Sequence, residues 1–329
     1  MNKITVWEQL DKECGKTNVD LIVSAEECKV MKIANETGEG IMSMYEIFPG
    51  IYLMYNDFHM ESYASEFQHA DTLLAIDHCR EGRIEMEGDN SYYYLEQGDL
   101  LIDTRVHHKG AVHFPLSHYH GITIAFQPEF AEKALRELMP SLEIDLTELV
   151  NKFCKNDQPY VVRTDPSIEN LFSQLYRIPK KSRKDYFRIK ILELLVYLRD
   201  LDFEGHRADK VYFYKNQVEK IRAIHELITK DLTKNYTQEQ LAKQFSIGIT
   251  QMKQCFRSVY GQSMYSYLKT YRMNKAAELL IMNEKLKVME IANACGYESV
   301  AKFGQAFKTQ FGIPPLEYRK CNGRKEING

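Results

Sequence analysis

Between Thr237 and Tyr318 the apolar positions fall at helical spacing twice over. Ile249, Met252, Cys255, Phe256 and Val259 recur every three or four residues, and Val300, Phe303, Ala306 and Phe307 repeat the pattern about fifty residues later. A short amphipathic segment precedes each run, TQEQLAKQF from Thr237 and VMEIANACG from Val288. Setting Leu241-Ala242 on Ile291-Ala292, with one extra residue before the second run, places Phe256 on Phe307, Arg257 on Lys308, Tyr260 on Phe311, Gly261 on Gly312 and Tyr267 on Tyr318. The pattern predicts two copies of a helix-turn-helix. Thr237 with Gln240 has the form of a capping box that starts a helix, and Gly296 supplies a residue that tolerates positive φ at a helix end. Between the copies, residues 263–283 contain neither Gly nor Pro and predict one stiff helix of roughly 30 Å.

The faces opposite the apolar stripes carry Thr250, Gln251, Lys253, Gln254 and Arg257 in the first copy and Ser299, Ala301, Lys302, Gln305 and Lys308 in the second. Short donors, amides and cations of this kind suit base edges and phosphates, although a solvated helical hairpin has a similar face. Charge favours the first alternative. The chain carries −3 overall, yet residues 1–215 hold 25 basic against 36 acidic side chains and residues 216–329 hold 18 against 10. A module of net +8 suits a polyanion such as double-stranded DNA, and an acidic module of net −11 has some other task. The interval between successive major grooves, about 34 Å, is near the reach of the connecting helix.

The segments KAAELL, IANACGYES and KFGQAFKTQFGIPPLEYR stand in an order and spacing that resembles the AraC/XylS family of transcription regulators, over about residues 215–320. The resemblance implies a seven-helix DNA-binding domain in which Thr250, Lys253 and Gln254 of the first motif, and Ala301, Lys302 and Gln305 of the second, are base-contact candidates. Ala301 stands where the family often has a polar or aromatic residue, which shifts the second motif toward phosphate contacts. The family also implies a cupin-like barrel ahead of this domain, a small-molecule effector, RNA polymerase as a partner, and activation more often than repression.

From Tyr45 to Phe126 short β-rich runs are separated by turn signals, with Gly88–Asn90 expected as a hairpin loop and EQGDLLI resembling a turn-strand element of cupin-like barrels. The expected fold class is therefore α+β and multidomain. Residues 1–40 read as a lead-in, 41–130 as a cupin-like β-barrel, 131–213 as a helical linker or dimerisation region, 214–320 as an all-α domain with two helix-turn-helix motifs, and 321–329 as a tail. In the linker region, Phe187, Ile191, Leu194, Leu195 and Leu198 form a stripe that either packs on the barrel or pairs with a second chain as a homodimer. Residues 178–184 read as a solvated basic loop and 202–214 as an interdomain linker.

Histidines concentrate at His107, His108, His113, His118 and His120. As an HxH pair on one strand, His118 and His120 are metal-ligand candidates, but the carboxylate that usually accompanies such a pair is missing from GITIAF. A second reading places Tyr55, His59, His78, Arg80, His113, His118 and His120 around a polar or anionic effector. Arg80 and Arg83 suit either a carboxylate grip or a solvent-facing position. No P-loop, dinucleotide fingerprint or nucleophile triad is present, so no cofactor and no enzyme activity are expected. The competing reading is a cupin-type metalloprotein or enzyme carrying a DNA-binding module; a ligand-independent regulator is a third. Seven scattered cysteines without a CxxC pair, and the lack of a signal or membrane-length segment, lead to a cytoplasmic expectation.

Overall fold

The computed structural model describes residues 5–13, 19–25, 27–64, 73–87, 91–105, 111–155, 159–163, 166–179, 183–202, 213–283 and 285–322. The expectations for His107, His108, the Gly88–Asn90 hairpin, most of the 202–214 linker, the middle of the basic loop and most of the tail lie outside these residues. The chain divides into two compact units, Met1–Tyr212 and Phe213–Gly329.

The N-terminal unit opens with helix α1 (Val6–Glu13) and continues through β1 (Val19–Ser24), β2 (Lys29–Asn35), β3 (Gly38–Phe48), β4 (Ile51–His59), β5 (Ser62–Ala64), β6 (Leu74–Gly82), β7 (Ile84–Glu87), β8 (Ser91–Leu95), β9 (Leu100–Asp103), β10 (Ala111–His113) and β11 (Tyr119–Phe126). It ends with α2 (Pro128–Leu138), α3 (Leu146–Phe153), β12 (Tyr160–Val162), α4 (Pro166–Leu175) and α5 (Arg183–Asp200). Eight strands form one sheet in the order β1-β2-β3-β4-β11-β6-β9-β12, and β8, β7, β10 and β5 are neighbours in a second. The expected closed barrel is corrected by this order: among the described residues the large sheet runs from edge β1 to edge β12 without joining itself. Chain switching between sheets occurs at Gly82, whose φ of +86° ends β6 before β7 starts in the other layer.

Residue parity on the large sheet separates two cores. Leu53, Leu74, Ile76, Leu100, Ile102, Ile122 and Ile124 face helices and share a cluster with Leu171 and Phe172 of α4 and with Phe187, Ile191, Leu194, Leu195 and Leu198 of α5. The α5 stripe thus packs within its own chain. Tyr52, Phe58, Cys79, Leu101, Tyr119 and Val161 face the second sheet and meet Leu95 and Phe114 there. Since each fully buried side chain of this size contributes about 1.5–3 kcal/mol, these two layers hold the sandwich together.

Residues 1–40, expected as a lead-in, in fact supply α1 and the strands β1 and β2. The inward positions of β2 are Lys29, Met31 and Ile33, so a lysine occupies one site of the apolar face and hides the alternation. Lys29 is 1% exposed; its Nζ donates to the Trp7 carbonyl at 2.5 Å and lies 4.4 Å from the Trp7 ring centre.

The C-terminal unit is helical: α6 (Lys215–Lys230), α7 (Gln238–Gln244), α8 (Ile249–Tyr260), α9 (Met264–Met282), α10 (Val288–Ala294), α11 (Val300–Phe311) and α12 (Pro315–Asn322). Among the described residues no helix in either unit is long and apolar enough to cross a membrane.

Candidate functional site

The repeat read from the sequence has a matching core in each copy. In the first, the Phe256 ring lies 4.7 Å from Tyr260 and 5.7 Å from Tyr267; in the second, Phe307 lies 4.5 Å from Phe311 and 5.3 Å from Tyr318. Phe256 and Phe307 are both fully buried. Thr237 starts α7 as a capping box, its Oγ1 accepting the Gln240 N–H at 3.2 Å while its own N–H donates to Gln240 Oε1 at 2.9 Å. Gly261 and Gly312 end α8 and α11 in the left-handed conformation, each with φ of +79°.

These inward anchors leave the other face of each second helix in solvent. Thr250, Gln251, Lys253, Gln254 and Arg257 are all exposed on α8, as are Ala301, Lys302, Gln305 and Lys308 on α11. Ser299 differs. It is half-buried, and its hydroxyl caps α11 by accepting the Lys302 N–H at 3.4 Å. Ile249 and Val300, expected on the inward faces, are 36% and 42% exposed because each is the first residue of its helix, ahead of the buried stripe.

Helix α9 joins the copies, and side-chain clamps tie it to both. Arg272 of α9 donates to the Leu232 carbonyl at 2.8 Å and to Asn235 Oδ1 at 2.9 Å, both in the loop between α6 and α7. A Cβ at Gly296, in the turn between α10 and α11, would lie 2.0 Å from the same Leu232 carbonyl oxygen. The turn of the second motif therefore rests directly on the first half of the unit. On the far side Arg319 of α12 donates to the Leu280 carbonyl of α9 at 3.3 Å and to the Leu286 carbonyl at 2.8 Å. This bracing was not legible in the sequence, because it depends on single backbone carbonyls.

Residues 241–321 match a family model described as a helix-turn-helix domain. The C-terminal unit carries a helix-turn-helix domain of the AraC type. Over 165 residues the chain is 32% identical to the virulence regulon transcriptional activator VirF of Yersinia enterocolitica, a match covering 46% of this chain and 55% of that one. Over 87 residues it is 36% identical to the HTH-type transcriptional regulator AlkR of Acinetobacter baylyi, covering 26% and 28%. Among solved structures, the C-terminal domain of AraT, a response regulator from Geobacillus stearothermophilus, is 29% identical with a TM-score of 0.31, covering 33% of this chain and 91% of that one. The chain spans about half the length of VirF in its match, and less of AlkR.

Beneath the first motif of the AraC-type domain, His225 of α6 stacks on Tyr260 at 4.4 Å and its Nε2 lies 2.8 Å from the Tyr267 hydroxyl, with Tyr271 edge-on. Burial pushes its pKa down to about 4. A free histidine titrates near 6.5, so the unfolded chain takes up this proton first as pH falls, and stability is lost progressively from about pH 6.5 towards 4. Urea denaturation of the whole chain at pH 7 and pH 5 should show about 2 kcal/mol less loss in His225→Phe than in the parent. Equal losses in the two proteins would remove His225 as the source.

In the N-terminal unit the structure gathers four of the seven effector candidates around Tyr176, just beyond α4, a residue the sequence reading missed. Its ring lies 6.3 Å from Tyr55, 5.8 Å from His78 and 5.6 Å from His120, and the Arg80 guanidinium stands 4.6 Å over it. Ladder register explains the meeting: Tyr55 and His78 flank Ile122 on adjacent strands, and Arg80 lies at a bulge, since His120 pairs with Glu81 while Gly121 pairs with Cys79. The Tyr55 hydroxyl donates to the Leu175 carbonyl at 2.7 Å, fastening the end of α4 to the sheet.

The other candidates stand apart. His113 is on β10, opposite Ser62 and Glu85 in the second sheet; His59 is exposed and 3.1 Å from Asp57; His118 is exposed with its Nδ1 3.0 Å from the Leu116 carbonyl. His118 precedes β11 whereas His120 lies within it, so the HxH pair does not converge as two alternate residues of one strand would. Among the described residues no group of three or more His, Cys, Asp or Glu side chains is placed to hold a metal ion. Arg83 is 5% exposed and lies 2.5 Å from Glu96, so its charge is answered inside the protein.

Proposed function

We propose that this protein is a sequence-specific regulator of transcription whose AraC-type domain places α8 and α11 in successive major grooves on one face of a DNA duplex. The observation that carries the reading is the pair of exposed polar faces, each backed by a buried Phe-aromatic-Tyr core and joined through α9. Nineteen helical residues in α9 span about 28 Å, close to the groove interval of about 34 Å, and bending the DNA makes up the difference. In this reading Thr250, Gln251, Lys253 and Gln254 read base edges from α8 and Arg257 grips phosphate. Lys302 and Gln305 do the reading from α11, with Ala301 against the duplex, Ser299 near the backbone and Lys308 on phosphate. Exposed Ile249 and Val300 suit thymine methyl groups.

The β-sandwich is then the counterpart of a cupin-like effector module, and binding of a small molecule there shifts the population competent to bind DNA. Activation through RNA polymerase, and action as a homodimer, follow from the same reading. Selection of bound sequences from random duplexes tests it first. On the selected site, Lys253→Ala and Gln305→Ala should each lose about 1–3 kcal/mol relative to random DNA. Lys308→Ala should weaken all sequences alike and lower the salt slope by about 1. If all three variants lost the same affinity on selected and random DNA, the division into readers and grips would be wrong.

A further inference from the structure

A cavity of about 190 Å³ lies between the end of β6, the turn joining β8 to β9, and the last turn of α4. His78, Arg80, Glu81, Glu169, Tyr176 and Arg177 are among its lining residues. His78 is 2% exposed, and its Nε2 is buried with no hydrogen-bond partner among the described residues. The nearest acid oxygen, Glu169 Oε2, is 4.0 Å away, beyond hydrogen-bond reach. The ring is held in its plane and in this orientation by two contacts. It is stacked on Phe172 at 4.2 Å and 6°, and its Nδ1 is 3.2 Å from the Tyr176 hydroxyl. When that hydroxyl donates to Nδ1, Nε2 carries the proton and is left as an unused donor.

The charges around the cavity come in both signs. Arg80 lies over the Tyr176 ring and keeps only a loose contact of 3.7 Å with Glu81. Arg177 is exposed at the α4 end, and Glu169 is more than half exposed on the same side. A simple anion would meet Glu81 and Glu169; a simple cation would meet Arg80 and Arg177. A molecule bearing both charges satisfies all four. Gln97 and Ser173, also in the lining, add neutral hydrogen-bonding groups, while little apolar surface is offered. We infer that this cavity binds a small zwitterion of the amino-acid class with a polar side chain, its carboxylate held by Arg177, Arg80 and His78 Nε2–H and its ammonium by Glu169. Burial keeps His78 neutral near pH 7, its pKa lying at about 4, so the carboxylate is met by an N–H donor and not by a third full charge.

This assignment takes the regulator reading further by naming the chemistry of its effector, yet binding can be measured without DNA. Titration calorimetry of the full chain with each of the twenty common L-amino acids should find at least one polar member with a Kd below about 1 mM. Arg177→Ala and Glu169→Gln, both at exposed positions, should each weaken that ligand about tenfold or more. Acetate and methylamine, which each carry one of the two charges, should bind at least about tenfold more weakly. Absence of heat with every amino acid, binding unchanged in both variants, or acetate binding as tightly as the amino acid would each overturn the inference. The two readings fail separately. An amino acid that binds without altering DNA affinity leaves this site intact and removes effector control, whereas metabolite-dependent DNA binding with no amino acid bound does the reverse.

Discussion

Gly296→Ala is expected to destabilise the C-terminal unit by about 3 kcal/mol and to weaken DNA binding more than tenfold. Two separate penalties combine at this position. Gly296 has φ of +77°, a conformation that costs an L-residue about 1 kcal/mol, and its added methyl would stand 2.0 Å from the Leu232 carbonyl oxygen. That oxygen already accepts from Arg272, so it cannot move without breaking the clamp on α9. The turn would have to rise, carrying α11 away from its angle to α8. Gly312→Ala is the matched control, because its φ of +79° is nearly the same but nothing lies within 4 Å of the new methyl. It should cost only about 1 kcal/mol. Urea midpoints and DNA titrations of the two variants decide the matter; equal losses would mean that the contact with Leu232 contributes nothing.

Asp77→Ala should destabilise the N-terminal unit by about 3–5 kcal/mol. Asp77 is 4% exposed, accepts a hydrogen bond from the Arg105 guanidinium, and accepts from Thr123 Oγ1 at 2.6 Å. Asn56 Nδ2 in turn donates to Thr123 Oγ1 at 2.8 Å, so one carboxylate organises neighbouring groups on three strands and the segment after β9. Removing it takes the close carboxylate away from the Arg105 guanidinium, which is 14% exposed and also lies 3.7 Å from Asp103. A cation deprived of its close partner inside a sandwich is the source of the loss, not the missing volume. The double variant Asp77→Leu/Arg105→Met should therefore recover much of the stability. Urea denaturation followed through the β signal in circular dichroism checks both, and a loss below about 1 kcal/mol for Asp77→Ala would show that the pair is not structurally important.

The C-terminal unit was legible because its signals are local. Helical periodicity, the Thr237 capping box and the glycines at 261, 296 and 312 all act within a few residues, so the two similar motifs and the helix joining them could be read without knowing what they pack against, while the full set of seven helices came from the family resemblance. Ser299 was less clear, since a cap and a DNA-facing hydroxyl use the same residue type. In the N-terminal unit the alternation gave β4, β6 to β9 and β11, but not the three-residue strands β5, β10 and β12, and β2 was missed where Lys29 takes an inward position. Likewise, histidines close in sequence between His113 and His120 were separated by the sheets, while His78 and Tyr176, almost a hundred residues apart, came together.

The amino-acid order alone determined the doubled helix-turn-helix, the basic character of that half and the side chains its outer faces present, because i to i+4 spacing and turn chemistry are properties of short segments. Tertiary structure alone decided that the strands form an open sandwich, that α5 buries its stripe on its own sheet, that Gly296 braces α11 on Leu232, and that Tyr176 collects Tyr55, His78, Arg80 and His120. Each of these depends on ladder register or on one carbonyl meeting one side chain across a long loop. Such contacts are chosen by the packing of whole layers, and no short window of sequence contains them.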